Sequence, residues 1–389
     1  MLALRADRLF DGLSSVALGN PTVVIDEGRI LSVSSGGAVP ADAEELVMPG
    51  ATLLPGLIDT HVHLGFDASQ DPVSPFLAAG PADLLATMRE NAARALSAGI
   101  TTVRDLGGKG LSTLDLRDAA GNGGVRLPHM LVAGPPITSP DGHCHFMGGV
   151  ADGEGKIRTA VRALIERGVD VIKMMGTGGS MTPGSDPLHV QFQDREIRAA
   201  VEEAHAHGVP VTVHAHARDG IRAAVRAGAD GLEHAKFWVA DGIEPDPATI
   251  DDIARRGVWV CPTMGAVPGS PPPPAAVAKR LALADDLMRD MHRRGVRLVA
   301  GTDAGISPAK PHDVLSFGIE EMARAAAMSN AEALRSATSV AADCCGVPAK
   351  GRLIAGADAD IIAVGGDPLT ELGALRAVRA VILNGARVR

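Results

Sequence analysis

Leu53-Leu54-Pro55-Gly56-Leu57-Ile58-Asp59-Thr60-His61-Val62-His63-Leu64-Gly65 is an apolar run with a Pro-Gly turn that ends in a His-x-His pair. Side chains on a β-strand alternate faces, so His61 and His63 point the same way. Two imidazoles on one strand face form half of a metal-binding shell. Two buried histidines bonded to backbone carbonyls would leave the same trace, and the rest of the chain has to decide between the two.

Beyond this stretch, helix and strand patterns alternate. A helix over 82–98 leads to a strand at 99–105, and a Gly-rich loop and helix lead to a strand over 129–134. Helices 154–167, 194–207, 219–228, 248–256 and 277–294 then precede strands ending near Met175, His214, His234, Cys261 and Asp303. About eight strand-helix units over about 300 residues have the size and rhythm of a (β/α)8 TIM barrel, an α/β fold. A doubly wound open sheet is the competing architecture, but no phosphate-binding glycine fingerprint follows an early strand. Ser329-Asn330-Ala331-Glu332 is a capping box that opens a further helix over 330–344. The Pro-rich run 268–274 reads as a stiff loop over the barrel mouth.

Both ends of the chain read as short strands. Thr22–Ile25 and Arg29–Val33 flank the turn Asp26-Glu27-Gly28, and 360–364 and 377–383 precede the turn Asn384-Gly385. Neither end has enough apolar surface alone; together they make a small β-sandwich. The expected domains are therefore 1–52 and 346–389 for the sandwich and 53–345 for the barrel.

The balance of 37 Lys and Arg against 46 Asp and Glu, with no basic cluster, argues against a nucleic-acid surface. No apolar run approaches the roughly 18 residues needed to cross a bilayer, and the start lacks a signal-peptide pattern. Four cysteines, two of them the adjacent Cys344 and Cys345, make neither a disulfide nor a zinc-finger framework. The expectation is a reduced, cytoplasmic protein acting on a small molecule, with no nucleic-acid or membrane partner.

Residues of metal-binding type recur at the C-terminal ends of the strands: His61 and His63, Lys173, His214, His234 and Asp303. In a barrel these ends converge on one mouth. Lys173 is the odd member, because an ammonium has no lone pair to give a metal. Buried beside cations its pKa falls, and the neutral amine can take up carbon dioxide. The resulting carbamate carries two anionic oxygens able to bridge two metal ions. By contrast, His205 and His207 lie in a helix, about 200° apart around its axis, and cannot share a metal.

In these residues the chain resembles the amidohydrolase superfamily, over essentially its whole length. The matching elements are Gly56–His63, Asp170-Val171-Ile172-Lys173, Val213-His214-Ala215-His216, Gly231-Leu232-Glu233-His234 and Ala300-Gly301-Thr302-Asp303. Lys173-Met174-Met175-Gly176-Thr177-Gly178-Gly179 and the tail from Cys344 to Gly356 resemble the branch of Xaa-Pro dipeptidases (prolidase-like) and imidazolonepropionases. The resemblance implies a barrel with a terminal β-sandwich and two divalent ions, Zn2+ by preference. Their ligands would be His61, His63, carboxylated Lys173, His214, His234 and Asp303. It further implies hydrolysis of an amide C–N bond in a dipeptide or N-acyl amino acid, with Asp303 as general acid and base. His143 would polarise the carbonyl, although Asp141-Gly142-His143 stands where relatives carry Gly-Gly-His. His216 and Arg218 are the further substrate-binding candidates, and loops 177–187 and 264–275 would set specificity. A homo-oligomer accords with the family, with no interface legible.

Three alternatives stay open at this stage. One is a one-metal cyclic amidohydrolase or deaminase, against which Lys173 speaks. Another is a lactone or carbamate hydrolase. The last is a catalytically dead scaffold barrel, in which ligands would be missing. His143-Cys144-His145 as a separate zinc site lacks a fourth ligand.

Overall fold

The computed structural model describes residues 1–121, 126–272, 275–281 and 283–389. Its core is an α/β arrangement of parallel strands. β1 (Leu57–Val62), β2 (Ile100–Asp105) and β3 (His129–Val132) pair in parallel in that order. A second parallel set runs β4 (Ile172–Met175), β5 (Val211–Ala217), β6 (Gly231–Val239), β7 (Trp259–Cys261) and β8 (Arg297–Leu298). Isolated parallel bridges link the two sets on both sides, Ile137 with Met174 and Val62 with Ala304. Every residue of β1, β2 and β4 is buried, as expected for parallel strands covered on both faces. The covering is helical. Gly153–Glu166, for example, turns Ile157, Val161 and Leu164 inward on one stripe and leaves charged residues outside.

The two termini meet in one mixed eight-stranded sheet. Its order is Ala386–Arg387, Val378–Leu383, Ile361–Gly365, Glu44–Pro55, Leu2–Leu9, Pro21–Asp26, Arg29–Ser35, with Leu18–Gly19 paired to Leu2–Leu9. Both anticipated hairpins form, through the two-residue turns Glu27-Gly28 and Asn384-Gly385. Positive φ at all four turn positions (44°, 78°, 49° and 77°) matches the turn type that follows the twist of paired strands. Leu4, Val23, Ile25, Leu53, Ile361 and Ile382 build a separate apolar core from both ends of the chain. Lys350 closes this region, buried and ion-paired to Asp358 (2.9 Å) and Asp360 (2.6 Å).

Three elements differ from expectation. The last strand, expected to run on to Asp303, stops at Leu298. Beyond it, Thr302 donates its N–H (3.0 Å) and its hydroxyl (2.6 Å) to the buried Asp59 carboxylate, the N–H being shared with the His61 carbonyl (3.3 Å). The expected helix 277–294 is two helices, Ala275–Leu281 and Ala284–Arg293. Arg280 ties the first to the end of β6, donating to the carbonyls of Val239 and Ala240 (both 3.1 Å) and lying over Trp238. The expected helix 330–344 opens with its capping box but breaks into Asn330–Ser336 and Ser339–Cys344. At the break, the Ala337 carbonyl accepts from the Ile58 N–H (2.8 Å). Among the described residues, no helix is long and apolar enough to cross a membrane.

Candidate metal centre

β1 carries His61 and His63, β4 carries Lys173, β5 carries His214 and β6 carries His234, while Asp303 follows β8. All are buried, and all line one cavity of about 790 Å³ together with His143 and His216. The Pro-rich run arches over this cavity through Gly269, Ser270, Pro271 and Pro272; its last two residues, 273–274, lie outside the described residues.

The hydrogen bonds on the outer ring nitrogens determine which nitrogens face inward with a lone pair. His61 Nδ1 donates to Glu233 Oε2 (2.7 Å) and His63 Nδ1 to the Gly107 carbonyl (3.1 Å), so both Nε2 atoms are bare. Thr263 gives its hydroxyl proton to the Pro262 carbonyl (2.8 Å) and therefore accepts from His234 Nδ1 (2.9 Å). His214 Nε2 donates to the Gly178 carbonyl (3.0 Å), which bares its Nδ1. Such outer bonds set the tautomer and orientation of metal-binding histidines.

Three of the bare atoms crowd together. His61 Nε2 and His63 Nε2 are 3.3 Å apart, and Asp303 Oδ1 is 3.4 and 3.3 Å from them. Lone pairs at that distance repel unless a proton or a cation lies between them. Donors bound tetrahedrally at about 2.0–2.1 Å would sit about 3.3 Å apart, so the spacing fits a metal such as zinc. A second group, His214, His216 and His234, also has ligand atoms within 4.8 Å of one another. Lys173 is 1% exposed, and among the described residues its ammonium has no hydrogen bond or ion pair. That orphaned amine fits a carbamate better than a cation.

The electrostatics agree. Burial, then Lys173, pulls His61 down to about 4 against the pull of Glu233 and Asp303. Burial also lowers His214, His234 and Lys173. Burial alone would raise Asp303 and Glu233, but His61 in both cases, with His63 beside Asp303, holds each carboxylate well below its usual range. Burial works against a charged His63 too, yet the Asp303 hydrogen bond lifts it above the ordinary value. The centre thus calls for positive charge between Asp303 and the His61–His63 pair.

His143 lies in the cavity wall, 4.9 Å from His214 between ring centroids, and burial brings it to about 4. It packs so closely on Gly179 that a Cβ there would fall 2.4 Å from its Nε2. His216 stacks between His234 (4.4 Å) and Trp238 (4.5 Å), and its buried Nδ1 has no partner among the described residues. Arg218 departs from expectation. It does not line the cavity but pairs with Glu244 (2.5 Å) at the start of the helix Arg218–Ala227. Cys144 is a buried thiol pushed up to about 12 by burial, and His145 is engaged with Gly142, so 143–145 gather no metal donors of their own. His205 sits on the surface beside Asp230.

Sequence reasoning overlooked the supports of the ligands. Glu233 accepts from His61, from Arg104 (3.2 Å) and from the Thr212 hydroxyl (2.7 Å). Asp105 accepts from the N–H groups of Leu64 (2.8 Å) and Gly107 (3.1 Å) and so fixes the turn beyond His63. Burial raises Asp105 to about 6 and Asp59 to about 7. The available signal was an ionisable residue inside an otherwise apolar strand, as in Gly231-Leu232-Glu233-His234.

Residues 52–388 match the model of the amidohydrolase family. The chain belongs to that family. Ochratoxinase of Aspergillus niger is 28% identical to this amidohydrolase over an alignment 405 positions long, which covers 94% of this chain and 81% of that protein. The crystal structure of a Xaa-Pro dipeptidase with bound methionine in the active site superposes with a TM-score of 0.87 at 27% identity, covering 100% and 99% of the two chains. Imidazolonepropionase of Saccharopolyspora erythraea matches only in part, 31% identical over 122 residues covering 26% of this chain and 31% of that one. The expected branch is thereby borne out, with its prolidase-like side matching along the whole chain. The protein is a hydrolase acting on C–N bonds.

Proposed function

We propose that this amidohydrolase cleaves the amide bond of a dipeptide or N-acyl amino acid at a pair of divalent cations, zinc by preference. The observation that carries the reading is the triangle of His61 Nε2, His63 Nε2 and Asp303 Oδ1 with edges of 3.3–3.4 Å, the spacing of donors around one small cation. His61, His63 and Asp303 would hold one ion, His214 and His234 the other, and the carbamate of Lys173 would serve both. When bound, the ions supply Lewis acidity and lower the pKa of water in the site.

The chain's own residues perform the proton work. Asp303, held ionised by His61 and His63, accepts a proton from the attacking water and returns it to the departing amine, so that an acid and an amine leave. His143, neutral at physiological pH, donates a hydrogen bond to the scissile carbonyl oxygen as it gains charge. His216, backed by the Trp238 ring, forms a flat wall against the substrate.

In the same reading the two parallel sheets form one (β/α)8 barrel over 53–345, supported by the Ile137–Met174 and Val62–Ala304 bridges. The sheet built from 1–52 and 346–389 corresponds to its terminal β-sandwich, curled around the core of Leu4 and Ile382. A reduced cytoplasmic setting suits the four free cysteines.

A library of dipeptides and N-acyl amino acids, assayed for released amine, tests the proposal. Turnover should appear, vanish on chelation and return with zinc, with two metal ions per chain by elemental analysis. Hydrolysis of lactones with no amine released from any amide would overturn it, and one ion per chain would favour the mononuclear alternative.

A further inference from the structure

Two ammonium groups in the cavity wall take no part in the chemistry above. Lys236, on β6 two residues beyond His234, is 8% exposed, and among the described residues its Nζ makes a single hydrogen bond, to the Pro262 carbonyl (2.7 Å). Lys310, half-buried in the loop after β8, donates to the carbonyls of Thr263 (2.8 Å) and Thr302 (2.6 Å). Both line the cavity. An ammonium has three donors, so two remain on Lys236 and one on Lys310.

Among the described residues, neither lysine has a carboxylate within ion-pair distance. The contrast with Lys350 is instructive. That side chain is as deeply buried (6% exposed), and it is met by both Asp358 and Asp360. A buried cation without a counter-charge is costly, and a second cation nearby adds to the cost. Consecutive residues, Pro262 and Thr263, hold the two ammonium groups side by side in the wall. Two further acids, Glu321 and Asp303, are engaged with other groups. Glu321 accepts from the Gly265 N–H (2.9 Å), and Asp303 faces His61 and His63. The wall therefore holds two cations that an incoming anion would neutralise.

We infer that Lys236 and Lys310 form the subsite for the carboxylate of the substrate. The inference rests on the amide-hydrolase reading for the identity of the bond cleaved, but not for the binding of the anion. Selectivity would then come from charge at this wall, with Trp238, Met181, Val277 and Ile306 supplying apolar lining for the side chain.

Two measurements separate the claims. The first compares kcat/KM for N-acetyl-L-leucine with that for N-(3-methylbutyl)acetamide, which keeps the scissile amide and the side chain and lacks only the carboxylate. The second compares, by calorimetry on the metal-loaded enzyme, binding of L-leucine, L-methionine and L-phenylalanine with that of their decarboxylated amines. The wild type should favour the carboxylate at least tenfold in at least one of the amino-acid pairs. Lys236→Met should bring that ratio near one, and Lys236→Arg should restore part of it. Lys310→Met, at a less buried position, gives the same reading should Lys236→Met not fold. If neither amide is hydrolysed but the lysine-dependent binding preference persists, the hydrolase reading fails and the subsite stands. A wild type indifferent to the carboxylate in all pairs, or a preference that survives both Met variants, would overturn the subsite.

Discussion

Glu233→Gln is the sharpest test of how the proposed metal ligands are held. The carboxylate is 1% exposed and accepts hydrogen bonds from His61 Nδ1 (2.7 Å), Arg104 (3.2 Å) and Thr212 (2.7 Å). Glutamine preserves the shape, but it presents an NH2 group to donors whichever way it is flipped. Either His61 loses the acceptor that keeps its Nε2 bare, or Arg104 and Thr212 face a donor. The buried Arg104 guanidinium also loses its counter-charge, and breaking such a pair costs about 3–5 kcal/mol. At about 2.1 cal/mol/K per residue, unfolding 389 residues carries about 0.8 kcal/mol/K, so Tm should fall by about 4–6 °C. Losing an outer hydrogen bond to a metal-binding histidine weakens metal affinity by about 10–100-fold. Both effects can be read separately, by differential scanning calorimetry and by competition with a chromophoric chelator. Removing the orphaned charge as well, in Glu233→Gln/Arg104→Met, should recover much of the Tm and none of the metal affinity. Wild-type metal affinity together with a wild-type Tm in Glu233→Gln would refute the argument that this carboxylate holds His61, Arg104 and Thr212.

Other perturbations follow from the same geometry. Asp303→Asn should fold and keep most of its metal but lose about 10³-fold or more in kcat; near-wild-type turnover would remove the acid-base role from this residue. Lys173→Ala should lose metal and activity together and regain part of both with acetate or propionate, whereas normal metal content without added acid would count against the carbamate. Lys350→Met should cost about 3 kcal/mol at pH 7 by urea denaturation, since Asp358 and Asp360 are left unpaired. Burial opposes the charge on Lys350, but Asp360 and Asp358 raise its pKa above the ordinary value. The stabilisation is therefore fully present below the unfolded lysine pKa of about 10.4 and is lost as pH rises through the higher folded value. The wild-type advantage over Lys350→Met should shrink at pH 11, and an advantage independent of pH would sink this account.

What the sequence determined by itself was the part governed by short-range periodicity and local backbone chemistry. Alternation on a strand placed His61 and His63 on one face, and the Glu27-Gly28 and Asn384-Gly385 turns specified hairpins because their φ values must be positive. The order His-x-His, Lys, His, His, Asp at the ends of β1, β4, β5 and β6 and after β8 carried the proposed ligand set, since parallel strands separated by helices bring their ends to one side. Tertiary structure decided everything that depends on which distant groups meet. A helix-opening Arg218 looks available until Glu244 comes within 2.5 Å. Beyond the end of the last strand and at the break in the helix 330–344, Asp59 and Ile58, far away in sequence, bond to Thr302 and Ala337. Glu233 acquires a role only when His61 and Arg104 reach it across the sheet, and Lys236 stands out only when Lys350 shows what a matched buried lysine looks like. Periodicity is set over a few residues, whereas a buried charge is stable or costly according to its partners, and those are chosen by the fold.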